Sequence, residues 1–187
     1  MWQRLLAYDQ RVLLSVRRLE SRLMTRLMRS LTRLGDPGSW IIMGLLLGFA
    51  GGEGPRYCAL LGTAAGLALA VSLPLKRLCC RKRPDCGIGG FAALAENPDA
   101  FSFPSGHTAV AFAVAAAFAG PGSALGTLVL ILAAGIAVSR VYLGAHYPLD
   151  VAAGVLVGTL TGAMARLLVL QFPLIELVGY ASLASAL

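Results

Sequence analysis

Charge is scarce in this chain: Asp, Glu, Lys and Arg together make up 13% of its 187 residues, while 57% are hydrophobic. That balance is too apolar for a soluble domain of this size, and a mean hydropathy of +0.75 places the chain in a membrane. Lysine is nearly missing, with only Lys76 and Lys82, so the formal net charge of +7 rests on arginine. So much apolar sequence excludes the disordered, collagen-like and small disulfide-scaffold classes. A nucleic-acid partner is not expected either, because the basic surplus belongs to a chain with no soluble domain. Anionic head groups or a phosphorylated lipid are the partners that match it. Cysteine is sparse as well. Cys58 lies in an apolar run, while Cys79, Cys80 and Cys86 share one basic loop with no CxxC and no His at ligand spacing, so no metal site is expected. The loop cysteines pair if they face an oxidising compartment and otherwise stay thiols. The N-terminus lacks an uninterrupted apolar core followed by small residues, so no cleavable signal peptide is expected.

The few charges are arranged in an orderly way. From Trp2 to Leu34, a turn of about 100° per residue gathers Arg4, Arg11, Arg18, Arg22, Arg26, Arg29 and Arg33 in one sector, opposite Leu5, Val12, Val16, Leu19, Leu23, Leu27, Leu31 and Leu34. This pattern predicts an amphipathic helix over residues 1–35, lying along a membrane surface or against a bundle. Asp9 and Glu20 fall on its apolar side, where lipid would penalise them, so that face is expected to meet polar groups of the protein. Gly35-Asp36-Pro37-Gly38 then ends the helix.

Five apolar runs follow, Trp40 to Gly52, Tyr57 to Leu75, Thr108 to Gly120, Leu125 to Val138 and Val151 to Leu170, and each is read as a membrane helix. Three fall short of the roughly 20 residues a lone span needs. Helical continuation through flanking residues such as Gly38, Ser39, Ser105 and His107, or local thinning of the bilayer, makes up the difference. Gly154, Gly158 and Gly162, at four-residue spacing, permit close helix packing. The expected architecture is one all-α, integral membrane helical bundle of about six helices: the amphipathic helix (1–35), a membrane core (39–170) and an apolar tail (171–187) forming a short surface helix.

Three stretches hold nearly all the remaining polar chemistry: Lys76, Arg77, Arg81, Lys82, Arg83 and Pro84 after the second run; Phe103 to His107 opening the third; and Ser139-Arg140 with His146 and Asp150 between the fourth and fifth. Singly, each has an ordinary explanation as a topological anchor, a helix start or a cap. If the five runs cross in succession, however, all three emerge on one side of the membrane, together with the chain's only two histidines. Phosphoryl transfer is the chemistry such a set supports. Ser105 and Gly106 at a helix start offer backbone N–H groups and a positive dipole end to an anion. Lys76, Arg83 and Arg140 add three cations for phosphoryl oxygens. Asp150, four residues after His146, can hold one ring nitrogen and leave the other to attack phosphorus, with His107 left to protonate the leaving oxygen. No carboxylate cluster for magnesium accompanies them, so neither metal nor cofactor is expected.

Lys76-Arg-Leu-Cys-Cys-Arg-Lys-Arg83-Pro84, Pro104-Ser105-Gly106-His107 and Ser139-Arg140-Val-Tyr-Leu-Gly-Ala-His146-Tyr-Pro-Leu-Asp150 together resemble the complete three-part signature of the type 2 phosphatidic acid phosphatase superfamily. The helix pattern, including Leu31 to Asp36, resembles its small bacterial members. The resemblance implies a metal-independent lipid phosphatase with a six-helix fold in a bacterial inner membrane. It implies His146 as the nucleophile forming a phosphohistidine, Asp150 as its orienting partner and His107 as the general acid, with Lys76, Arg83, Ser105, Gly106 and Arg140 binding phosphate. Family substrates are phosphatidate, phosphatidylglycerophosphate, polyprenyl diphosphates such as undecaprenyl diphosphate, and related lipids. The alternatives are a lipid phosphotransferase using the same intermediate, and a non-catalytic lipid-binding or transport protein. With the N-terminal helix at the surface, fourteen of sixteen Lys and Arg lie at the site end, and the positive-inside rule puts that end in the cytoplasm.

Overall fold

The apolar runs become helices with their boundaries little changed. The structure, a computed structural model, describes residues 2–95 and 99–171. Those residues form α1 (Trp2–Arg17), α2 (Arg22–Leu34), α3 (Pro37–Phe49), α4 (Gly54–Cys79), the single turn α5 (Pro84–Gly87), α6 (Gly106–Phe118), α7 (Ala124–Tyr142) and α8 (Pro148–Gln171). Helices α4, α7 and α8 are long and apolar enough to cross a membrane, and the protein is an all-helical integral membrane bundle. Helices α3 and α6 have 13 residues each, about 20 Å of rise against a hydrocarbon core of about 30 Å. For α6 the shortfall has little consequence, because α4, α7 and α8 enclose it and Thr108 to Ala111, Ala113 to Ala115, Ala117 and Phe118 are buried.

The bundle is small inside and large outside. Ala64, Ala68, Ala111, Ala113, Ala133 and Ala165 fill the interior, whereas Ile41, Leu46, Phe49, Leu128, Ile131, Leu156 and Leu160 point outward and stay exposed. Lipid tails are as apolar as leucine, so helices here gain from close backbone contact more than from burying large side chains. The α6–α8 contact is the extreme case. A Cβ at Gly154 would lie 2.7 Å from the Ser105 carbonyl oxygen, at Gly158 2.3 Å from that of Ala109, and at Gly162 2.1 Å from that of Ala113. The three-glycine row is therefore a seam of backbone on backbone, and its first contact is with the N-cap of α6.

The N-terminal stretch departs from the single helix expected over residues 1–35. It breaks at Arg18–Ser21 into α1 and α2 because Ser21 turns extended (φ −144°, ψ 155°) and its side chain accepts from the Met24 N–H. The Ser21 N–H donates to the Tyr142 hydroxyl at 3.1 Å, and Glu20 pairs with Arg17 at 3.2 Å in the break. The break lets α1 lie against the start of α8 while α2 runs over the site end of α7, with Thr25 on Tyr142 and Thr32 on Arg140. Asp9 is 2% exposed and meets polar groups of the protein, as its place on the apolar face required. All four cysteines are thiols, Cys79, Cys80 and Cys86 exposed. The surface helix expected in the tail lies outside the described residues beyond Gln171.

Gly158→Leu and Gly162→Ala are expected to lower the thermal midpoint in detergent, overpacking of a close contact costing about 1–3 kcal/mol or more. Gly66→Ala, where a Cβ meets nothing within 4 Å, is expected to leave the midpoint unchanged or raise it.

Candidate active site

Four helix ends and one turn deliver the polar residues to one place. Lys76 comes from the last turn of α4, Arg83 from the residue that caps α5, Gly106 and His107 from the first turn of α6, Arg140 from the last turn of α7, and His146 from the turn before α8. All six line one cavity of about 1010 Å³. Its far wall is apolar, made by Ile41, Leu45, Leu61, Ala65, Leu69 and Leu73 of α3 and α4. Ser105 and Asp150 are wholly buried and do not line it.

His146 is the hinge between two kinds of charge. Its Nε2 lies 3.5 Å from Arg83 Nη1, and its Nδ1 faces Asp150 Oδ2 at 3.7 Å. That second distance is an ion-pair contact and not a hydrogen bond. Ser102 stands between the two: its Oγ donates to Asp150 Oδ2 and lies 3.5 Å from His146 Nδ1. The Tyr147 N–H adds a bond to Oδ2 at 2.9 Å. Burial, and after it the neighbouring Arg140 and Arg83, outweigh Asp150 and push the His146 pKa down to about 3, so its imidazole is neutral across the physiological range.

The cations are already engaged. Lys76 Nζ is 3.0 Å from Asp99 Oδ2 and donates to the Phe101 carbonyl at 3.0 Å. Arg83 donates to Asp99 Oδ1 through Nη2, to the Asp99 carbonyl at 2.8 Å and to the Ala145 carbonyl at 2.7 Å. Burial by itself would raise the Asp99 pKa, but the bonds from Arg83 and Lys76 hold it below the usual carboxylate value. Arg140 donates to Thr32 Oγ1 at 2.7 Å. His107 is not idle either, since its Nε2 lies 2.8 Å from Asp36 Oδ1. The Ser105 N–H, expected to face an anion, donates instead to the Asp150 carbonyl at 3.0 Å, because the Gly154 contact presses α8 onto the start of α6. The anion cradle of the first turn therefore begins at Gly106, and Ser105 has only its hydroxyl to offer.

Sequence reasoning assembled the cavity's charged wall and missed what stands behind it. Asp36 was visible as part of the Leu31–Asp36 segment, and Asp9 as a carboxylate on an apolar face. Asp99, Ser102 and Thr32 carry no local signal, since each matters only through a partner distant in the chain.

Residues 57–173 match the PAP2 superfamily. The decaprenylphosphoryl-5-phosphoribose phosphatase of Mycobacterium tuberculosis is 36% identical over 137 residues, covering 73% of this chain and 75% of that one. Among solved structures, LpxE of Aquifex aeolicus superposes with a TM-score of 0.71 at 24% identity, over 83% of this chain and 92% of its own. A PAP2-type phosphatidylglycerolphosphate phosphatase from Bacillus subtilis gives 0.69 at 24%, over 87% and 84%. Both share the fold.

The position of Asp99 between two cations has a measurable consequence. Asp99→Asn removes a negative charge from beside the anion site, and the competitive inhibition constant of orthovanadate is expected to fall by about tenfold, or ~1.4 kcal/mol of binding.

Proposed function

The chain belongs to the PAP2 superfamily and is a phosphoric monoester or diphosphate hydrolase, and on that premise we propose that its substrate is a phosphorylated polyprenyl lipid, cleaved through a phosphohistidine at His146 without a metal. The observation that carries the reading is the cavity itself. Lys76, Arg83 and Arg140 occupy one end with both histidines, and an apolar wall between α3 and α4 leads away from them. A phosphate held at the cationic end leaves its chain lying against that wall, an arrangement a soluble phosphate ester does not need.

In the proposed reaction, the lipid phosphate displaces Asp99 from Lys76 and Arg83. Those two residues, Arg140, the Ser105 hydroxyl and the Gly106 N–H hold its oxygens. His146 Nε2, on the Arg83 side of the ring, attacks phosphorus while Asp150 faces Nδ1. The P–O bond to the leaving group breaks, and His107 supplies the proton that this oxygen takes up. Asp36 Oδ1, 2.8 Å from His107 Nε2, orients that ring. Water then attacks phosphorus, gives a proton to His107 and breaks the P–N bond, releasing phosphate and leaving His146 neutral. Three protein cations clustered on one wall do the neutralising that magnesium does in other phosphoryl transfers. For the chain length of the lipid, the support is the Mycobacterium tuberculosis relative, whose name specifies a decaprenyl phosphoester.

The proposed location is the inner membrane of a bacterium with the site facing the cytoplasm. Arg17 and Arg29 both bond loop carbonyls at the site end, of Ala92 and Leu94, which keeps the N-terminal arginines on the side where the charge count placed them. In a variant whose only cysteine is Cys86, a membrane-impermeant maleimide is expected to leave the thiol unmodified in intact cells, and labelling there would move the site to the outer face.

Phosphate release in EDTA decides the function. Detergent-purified protein is expected to hydrolyse farnesyl or undecaprenyl phosphates and diphosphates well above phosphatidate, with His146→Ala blank. Activity lost in EDTA and restored by magnesium would overturn the metal-free mechanism. With the free-enzyme His146 pKa near 3, its protonation is expected to leave kcat/KM undiminished on the acid side down to about pH 5.

A further inference from the structure

Behind the cavity, a buried ion network ties the N-terminal helix to Asp150. Arg81, in the loop after α4, donates through Nη1 to Asp150 Oδ1 and through Nη2 to Asp9 Oδ2, both at 2.6 Å. Asp9 also accepts from the Leu149 N–H at 2.8 Å, in the first turn of α8 beside Asp150. The two carboxylate side chains are 1% and 0% exposed, and the guanidinium lies 4.2 Å from the centroid of the Tyr147 ring. Two buried carboxylates this close are tolerable only with a cation between them, and a planar fork is the side chain that serves both at once. The backbone of Arg81 takes part as well. Its carbonyl accepts from the Ser102 N–H at 2.8 Å, next to the Lys82–Phe101 bridge, and so seats the hydroxyl that donates to Asp150 Oδ2. One residue thus fixes both oxygens of Asp150, directly at Oδ1 and through Ser102 at Oδ2. Arg81 is not among the residues lining the cavity, and Asp9 precedes the stretch that matches the family.

We infer that Arg81, held by Asp9, is a positioning residue for the reaction: it clamps the Asp150 carboxylate against His146 and makes α1 a working part of the active site. The inference rests on the reading of His146 as the nucleophile. Asp150 selects the tautomer with the proton on Nδ1 and the lone pair on Nε2 only while it stays on the Nδ1 side. Without the Arg81 guanidinium, Asp150 loses its bond at Oδ1 and its cation, and the Ser102 hydroxyl and the Tyr147 N–H hold it at Oδ2 alone.

The test uses the full-length protein with Arg81→Gln, Arg81→Lys, Asp9→Asn and the Asp9→Asn/Arg81→Gln double variant. Three readouts are needed: kcat and KM on the fastest lipid substrate, thermal midpoint, and the 15N spectrum of the two labelled histidines, assigned with His146→Ala. Arg81→Gln is expected to lower kcat by about 10- to 100-fold with KM within about twofold. It is also expected to convert His146 from a single Nδ1–H tautomer to a mixture. Arg81→Lys keeps the charge but not the fork, and recovers part of the rate. Asp9→Asn shifts both readouts the same way by less, and adds nothing in the Arg81→Gln background. If Arg81→Gln does not fold, Arg81→Lys and Asp9→Asn carry the test. Unchanged kcat and tautomer in folded variants would overturn the inference. So would a loss confined to KM, which would make Arg81 a phosphate ligand, or a lowered midpoint with kcat and tautomer intact. A wild-type protein with no turnover, in which Arg81→Gln still mixes the tautomers, would defeat the hydrolase reading and leave the positioning role standing.

Discussion

Charge removed from water must be answered by charge, and in a chain this apolar the demand organises everything else. Lys76, Arg83, Arg140, Asp9 and Asp150 are each at most 6% exposed. None of them is tolerable alone. The structure resolves them into two groups with His146 between: a cationic front of Lys76, Arg83 and Arg140 that faces the cavity, and an anionic back of Asp9 and Asp150 bridged by Arg81. Asp99 completes the front by pairing with Lys76 and Arg83. In the proposed reaction a phosphate exchanges one anion for another there, so the cations are answered throughout.

The same polarity tells the two faces of His146 apart. Its Nε2 looks toward a guanidinium, which keeps a proton off it, and its Nδ1 looks toward a carboxylate, which favours one there. Burial is the main cause of its lowered pKa, and the guanidiniums of Arg140 and Arg83 add to it. Neutrality alone would not distinguish the two nitrogens; the arrangement of partners does.

Holding that distribution in place is the task of the α6–α8 seam. Backbone-to-backbone contact at Gly154, Gly158 and Gly162 fixes the start of α6 against the start of α8 with no side chain in between to adjust. Gly106 and His107 are thereby registered against His146 and Asp150. The short length of α6 follows from its enclosure, since a helix walled by protein need not match the bilayer. On the side away from the cations, residues of α3 and α4 line the cavity.

Hydropathy runs and motif spacing are local properties, and what depends on them was legible in the sequence: five apolar helices, the glycine seam as a packing face, and the residues of the charged wall, which follow from helix ends emerging together. The carboxylate at Asp9 was legible as an anomaly without its partner. What only the tertiary structure decided is how each charge is answered. Ser102 enters between His146 and Asp150, Asp99 lies across Lys76 and Arg83, and the Ser105 N–H turns to the Asp150 carbonyl. The N-terminal helix breaks at Arg18–Ser21 so that Asp9 can reach Arg81. Arg81 lies 69 and 72 residues from its two carboxylates, and Asp9 lies 140 from Leu149. No local pattern encodes pairs so far apart, because their meeting is set by which helix faces bury one another.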